Sequence, residues 1–148
     1  MTENGIHIYN NPSFQGQDWS VLFNLIPAIR GTKKFGKLAG GEKMYEGVFE
    51  MPYIAAEPIV LKFLDVVDEL SIVQPFDWPK WDEGRKMAGD PDFEFDTVDI
   101  SEKCKLLTAI IRNDRFCEGA LVSAFESGLI LRVLESLERQ ITGEKSKR

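Results

Sequence analysis

The sequence predicts an α+β fold: a single, mainly helical domain with a small antiparallel sheet. Most of the chain carries apolar residues three or four positions apart, the spacing of amphipathic helices. One segment, near residues 35–54, instead combines glycines with short β-forming runs. With 148 residues, 43% of them hydrophobic, the chain can bury a core without disulfides. We therefore expect four or five helices packed together, with a β-hairpin or three-stranded sheet near residues 35–54.

The two ends of the chain differ in composition from the rest. Residues 1–17 are rich in Asn, Gly, Gln and Pro and show no lasting period, which predicts an N-terminal arm or loop. The globular domain is predicted to span residues 18–142, and residues 143–148 are predicted to form a disordered basic tail. Within the domain, Asp18 should cap the first helix, and Pro27 should kink or end it.

Caps and breakers predict the two helices that follow the sheet. Glu57-Pro58 opens a helix whose apolar stripe continues to Leu70. Asp77 can cap a shorter helix that begins at Trp78-Pro79 and ends at the Gly89-Asp90-Pro91 breaker.

The acidic stretch from residue 90 to 99 alternates carboxylates with Phe93 and Phe95. This alternation predicts a half-buried extended segment. A calcium loop is disfavoured, because Phe95 stands where such a loop needs glycine.

Three further helices complete the domain. The first begins at Asp99 or Ser101, and the second runs from about Glu118 to Ser127 and stops at Gly128. The last helix begins directly after Gly128 and carries a narrow stripe of apolar residues, which we call the seam. The seam consists of Ile130, Val133, Leu134, Leu137 and Ile141.

Charge and composition disfavour several functional classes. A formal net charge of -6 opposes nonspecific attraction to nucleic acid or anionic lipid. No apolar run approaches the ~18 residues of a membrane span, and the first residues do not resemble a signal peptide, so we expect a cytoplasmic protein. One histidine and two cysteines favour neither a metal site nor a disulfide framework, and no cofactor motif is intact. The G-x-x-x-x-G-K match at residues 31–37 is followed by Leu38 where a phosphate loop needs Ser or Thr.

A cluster of charged residues interrupts an apolar stretch between two predicted helices. It contains Arg112, Asp114, Arg115 and Glu118, and Glu126 can approach from the far end of the second helix. In one interpretation, ion pairs between these groups fix the angle of the two helices. In the other, Arg112 and Arg115 bind an anion. A carboxylate of the cluster then orients the ligand or handles protons.

An aromatic patch lies beside charged residues earlier in the chain. Phe76, Trp78 and Trp81 can present anchors to a partner or wall a pocket, since aromatic residues dominate interface hot spots. Tryptophans at this spacing also commonly close the edge of a core, and the sequence leaves both roles open.

Several of these motifs together resemble those of a family of small uncharacterised prokaryotic proteins, a domain of unknown function. The motifs are Pro75-Phe76-Asp77-Trp78 with Trp81, Leu106-Leu107-Thr108, Arg112 with Asp114-Arg115-Phe116, Glu118-Gly119, and Glu126 with Gly128. The resemblance spans roughly Phe35 to Leu137. It implies a prokaryotic cytoplasmic protein, but it brings no activity, cofactor or catalytic residue.

These observations favour a non-enzymatic cytoplasmic module that binds a ligand or interacts with an unknown protein partner. The alternative is an enzyme or sensor for a small anionic ligand that uses Arg112, Arg115 and Glu118. A homodimer formed through the last helix is a third possibility. It predicts that Ile130, Val133, Leu137 and Ile141 are partly exposed in the isolated chain.

Overall fold

A computed structural model of the chain describes residues 18–41, 43–49 and 51–143. The helices are α1 (Ser20–Phe23), α2 (Ile26–Arg30), α3 (Pro58–Glu69), α4 (Asp82–Gly89), α5 (Ile100–Asn113), α6 (Ala120–Glu126) and α7 (Leu129–Glu138). The strands are β1 (Gly36–Ala39), β2 (Lys43–Tyr45), β3 (Val48–Phe49) and β4 (Tyr53–Ala56). The predicted α+β class, mainly helical, is confirmed. The predicted arm and residues 144–148 of the predicted tail lie outside the described residues.

Helix α7 lies at the centre of the packing and contacts α1, α2, α5 and α6. Ile130, Val133, Leu134 and Leu137 are all fully buried within the chain itself. Of the four residues that the dimer alternative needs partly exposed, Ile130, Val133 and Leu137 are buried and only Ile141 is partly exposed, so this alternative is not supported. Their own domain covers the seam, because neighbouring helices pack around α7.

The small sheet consists of two separate antiparallel pairs. β1 pairs with β4, with Gly36 opposite Ala56, and β2 pairs with β3 between them in the chain. Gly36 brings the first pair close to α6, since a Cβ added there would lie 2.9 Å from Cγ1 of Val122. The glycine-rich segment was predicted to form a hairpin or a three-stranded sheet, and the antiparallel hairpin is confirmed.

The beginning of the domain follows the predicted interruption. α1 ends at Phe23 and α2 begins at Ile26, with Pro27 in its first turn. Proline is tolerated there because the first amides of a helix have no intrahelical acceptor. Asp18 lies just before α1, where its Oδ1 accepts a hydrogen bond from the amide of Ser20 at 3.1 Å.

Two short 3-10 turns form where the sequence predicted the start of a helix and an extended segment. Trp78–Lys80 forms one turn and α4 begins only at Asp82, so the predicted single helix from Trp78 is divided. The predicted cap is also absent, because the side chain of Asp77 makes no capping hydrogen bond. Phe95–Thr97 forms the second turn inside the predicted extended segment. Phe95 is buried as expected, but Asp96 turns toward α7 and bonds to Ser136 there.

The last turn of the described chain is π-helical and covers Arg139–Gly143. α5 begins as predicted, with Oδ1 of Asp99 accepting the amide of Glu102 at 2.8 Å.

Among the described residues, no helix has both the length and the apolar character needed to cross a membrane.

Candidate functional site

The predicted charge cluster lies at the joint between α5 and α6. α5 ends at Asn113, and the chain turns until Gly119, which has a φ of 88° at the N-cap of α6. Glycine suits this left-handed conformation because it has no Cβ. Residues 115 and 118 therefore lie in a turn rather than on a helix, and the helical spacing that would bring their side chains together does not apply.

The three carboxylates of the joint accept hydrogen bonds from backbone amides. Oδ1 of Asp114 accepts from the amide of Leu121 at 3.0 Å, which satisfies a donor in the first turn of α6. The other two carboxylates attach the ribbon formed by β1 and β4 to α6. Oε2 of Glu118 accepts from the amide of Ile54 at 2.8 Å, and Oε2 of Glu126 accepts from the amide of Phe35 at 2.9 Å.

The predicted ion-pair network of the joint is wrong. Among the described residues, no ion pair joins Arg112 or Arg115 to a carboxylate. The carboxylates instead serve the backbone: the amides of Leu121, Ile54 and Phe35 each donate to one of them, because a backbone amide needs an acceptor.

The two arginines instead border an open cleft of about 330 Å³, which we call the arginine cleft. Arg112 is half-buried and Arg115 is exposed. The remaining lining comes from Gln74, Pro75, Phe76, Trp78 and Phe116. The cleft thus joins the cationic part of the predicted charge cluster to part of the predicted aromatic patch.

Phe116 contributes an aromatic wall that the sequence prediction did not include. Its side chain is 77% exposed, and its ring centroid lies 5.9 Å from that of Trp78. A phenylalanine directly after Arg115 in a predicted joint was the local signal, but only the fold shows that it faces Trp78. Large apolar side chains exposed beside a cleft commonly mark a binding surface.

The predicted aromatic patch divides into two parts with different surroundings. Trp81 packs against Gly84 of α4, and its ring lies 4.5 Å from Nζ of the buried Lys105. The ring of Phe76 lies 5.3 Å from the same ammonium group. Trp81 therefore closes the edge of the core and holds a buried cation, whereas Trp78 borders the cleft with Phe116.

Burial also affects the carboxylate that accompanies this lysine. Nζ of Lys105 lies 3.8 Å from Oε2 of Glu102. Burial raises the pKa of the Glu102 carboxyl above its usual value, although the neighbouring lysine opposes the shift. Neither Glu102 nor Lys105 lines the arginine cleft.

The arginine cleft has the chemistry of an anion site. A guanidinium group is always charged and presents a planar fork of donors that matches carboxylate and phosphate. Neither cysteine lines the cleft, and burial raises the pKa of the Cys104 thiol to about 12. Among the described residues, no three His, Cys, Asp or Glu side chains lie close enough together to hold a metal ion.

Comparison with models of protein families places the chain among known families. Residues 14–143 match the model of a family described as a family of unknown function, DUF6508. The match confirms the resemblance predicted from the motifs and extends further toward both ends than expected. Neither a curated protein nor a solved structure matched the chain.

Proposed function

The chain belongs to DUF6508, a family of unknown function, and we propose that it is a non-enzymatic cytoplasmic binding module that holds an anionic ligand in the arginine cleft. The proposal combines the two functions that the sequence favoured. It keeps the predicted binding module and assigns Arg112 and Arg115 as the groups that bind the ligand. A cytoplasmic location is part of the proposal, and the two unpaired cysteines support it, since thiols stay free in a reducing compartment.

One observation carries the proposal: both arginines border an open, aromatic-walled cleft without a carboxylate partner among the described residues. Arginines that only stabilise a helix joint usually bond to carboxylates. Here Asp114, Glu118 and Glu126 bond to amides, so the guanidinium groups remain available to a ligand.

The same contacts support binding rather than catalysis. We assign Asp114 the role of fixing the turn that carries Arg115, and Glu118 and Glu126 the role of attaching the ribbon of β1 and β4 to α6. An acid-base group must reach the ligand's proton, and these carboxylates already accept backbone amides. The lining includes no histidine, cysteine, serine or carboxylate that can serve as a nucleophile with its base.

Thermal unfolding with inorganic phosphate and short carboxylates tests the proposal. A ligand at about a hundred times its dissociation constant stabilises by about 2.7 kcal/mol, a shift of several degrees for a domain of this size. We expect Arg112→Gln and Arg115→Gln to remove the shift. Arg30→Gln is the matched control, because Arg30 is exposed, pairs with Glu135 and lines no part of the cleft. The proposal fails if no anion shifts the native protein, or if the shift persists in both cleft variants.

The exposure of Phe116 favours a second candidate, an acidic segment of a protein partner. In that case Phe116→Ala and Trp78→Ala should abolish association while the fold persists, whereas free anions should bind weakly or not at all. The prokaryotic origin implied by the resemblance stays a prediction.

A further inference from the structure

We propose that the ligand is an amphipathic anion whose head binds in the arginine cleft and whose apolar body enters a second cleft that Trp78 also lines. This inference rests on the proposed function and names the chemical class of its ligand. A single side chain, Trp78, lines both clefts. The two spaces are therefore adjacent.

The second cleft has a volume of about 290 Å³ and lies between α4 and α5. We call it the apolar cleft. Apart from Gly84, Arg85 and Asn113, it is lined by Trp78, Trp81, Ala88, Leu106, Ala109 and Ile110. Ligand pockets commonly show this composition, mostly apolar with a few polar groups that fix orientation.

Arg85, the cationic residue in the lining of the apolar cleft, already has partners within the chain. Nη1 of Arg85 lies 2.7 Å from Oδ1 of Asp82, and Nη2 donates to the carbonyl of Pro79. A second anionic group therefore has no free cation there. The charge of the paired clefts is concentrated at Arg112 and Arg115, which places the ligand's head at that end.

Small side chains keep the apolar cleft open. Gly84 and Ala88 lie one turn apart on α4, and Ala109 lines the cleft from α5. Trp81 fits closely over Gly84 and cannot move deeper without displacing α4. An apolar space of this kind lacks partner atoms, and a hydrocarbon chain would restore the lost dispersion contacts.

The dimensions set the length of the ligand. The cleft follows α5 from Leu106 to Asn113, which at 1.5 Å per residue is about 10 Å. Asn113 precedes the arginine-bearing turn and follows Arg112 directly, so the two clefts meet at this end of α5. We therefore assign an apolar body of about 10 Å, the length of a medium alkyl chain or an extended aryl-alkyl group.

The test is an NMR titration of the full chain with a homologous series of saturated carboxylates, from acetate to decanoate, each kept monomeric. Affinity should rise about fourfold for each added methylene and then level off when the apolar cleft is full. Inorganic phosphate, which can occupy only the arginine cleft, reports head binding alone. Octanol, which has the chain but no charge, should bind far more weakly than octanoate.

Ala109→Leu is designed to fill the apolar cleft. We expect it to abolish the gain from chain length while phosphate still binds, which also shows that the variant folds. Ala28→Leu is the matched control, because Ala28 is exposed on α2 and lines neither cleft. It should leave the chain-length series intact.

The outcomes separate the inference from the proposed function. If phosphate and acetate bind through Arg115 but chain length has no effect, or if Ala109→Leu keeps the full gradient, the inference is overturned and the proposed function stands. If no anion of any length binds, both are overturned. Sedimentation with phosphatidylglycerol vesicles distinguishes the source of the amphiphile. Binding to vesicles without binding to monomeric octanoate overturns the inference in favour of a membrane surface.

Discussion

At the scale of single residues, the joint between α5 and α6 shows carboxylates working as backbone acceptors. Glu118 lies beside Arg115 in the sequence cluster, yet its Oε2 accepts the amide of Ile54, 64 residues away in the chain. The side chain thereby attaches β4 to the turn before α6. We therefore expect Glu118 to stabilise the fold through this hydrogen bond and not through an ion pair with Arg115.

This arrangement predicts different effects for two substitutions of Glu118. Glu118→Ala should destabilise the protein by about 1 kcal/mol, since it removes the acceptor of an amide near the surface. Glu118→Gln should keep most of the stability, because its amide oxygen can still accept. Urea unfolding measures both. Equal losses, together with strong coupling to Arg115→Ala in a double-mutant cycle, would instead indicate an ion pair.

The sequence predicted which residues gather at the joint but not what they bond to. Arg112, Arg115 and Glu118 are neighbours in the chain, so their proximity needed no tertiary information. The acceptor role of Glu118 depends on where Ile54 lies, and a contact over such a distance in the chain leaves no local pattern. Phe116 was overlooked for a related reason, because only the fold shows that it faces Trp78.

At the scale of elements, Asp96 ties the Phe95–Thr97 turn to α7. Its carboxylate accepts from Oγ of Ser136 and from Arg139, with 3.2 Å between Nη2 of Arg139 and Oδ1. The hydrogen bond from Ser136, followed by that from Arg139, lowers the pKa of the Asp96 carboxyl below its ordinary value of 3.8. The ionised form is therefore favoured in the folded state.

Asp96→Asn should consequently cost stability in a pH-dependent way. A carboxyl whose pKa is lower in the folded state contributes stability that is fully present above 3.8 and is lost as the pH falls through the lowered pKa. Because Asp96 is about half exposed, we expect a loss of only about 1 kcal/mol at pH 7. The difference from the native protein should shrink below about pH 4.

Urea unfolding at several pH values measures this difference. Asp92→Asn is the control, since Asp92 is an exposed aspartate of the same acidic segment. A difference for Asp96→Asn that stays constant down to pH 2 would contradict the assignment. The alternation of Phe93 and Phe95 with carboxylates is equally typical of a strand, so it does not predict the turn. The contacts of Asp96 with Ser136 and Arg139, which help to hold the turn, join residues far apart in the chain.

At the scale of the whole molecule, α5 connects the core to both clefts. It contacts α4, α6, α7 and the Trp78–Lys80 turn. Periodicity predicted α5 and α7 well, since their apolar stripes are long and regular. It could not predict that the two clefts share Trp78, because this depends on a 3-10 turn that divides the predicted helix and packs on α5.

The central position of α7 leads to a prediction about the whole fold. Leu137 is 0% exposed within the isolated chain, so Leu137→Ala should cost about 2–5 kcal/mol through lost burial and the cavity left behind. Leu61→Ala is the matched control: Leu61 is 53% exposed on α3, and its truncation should cost about 0.5 kcal/mol or less. Urea unfolding at two protein concentrations differing tenfold provides the measurement. A seam buried by its own chain predicts the same loss at both concentrations. A loss that grows on dilution would mean that a second copy covers this residue, because only then does mass action enter the stability.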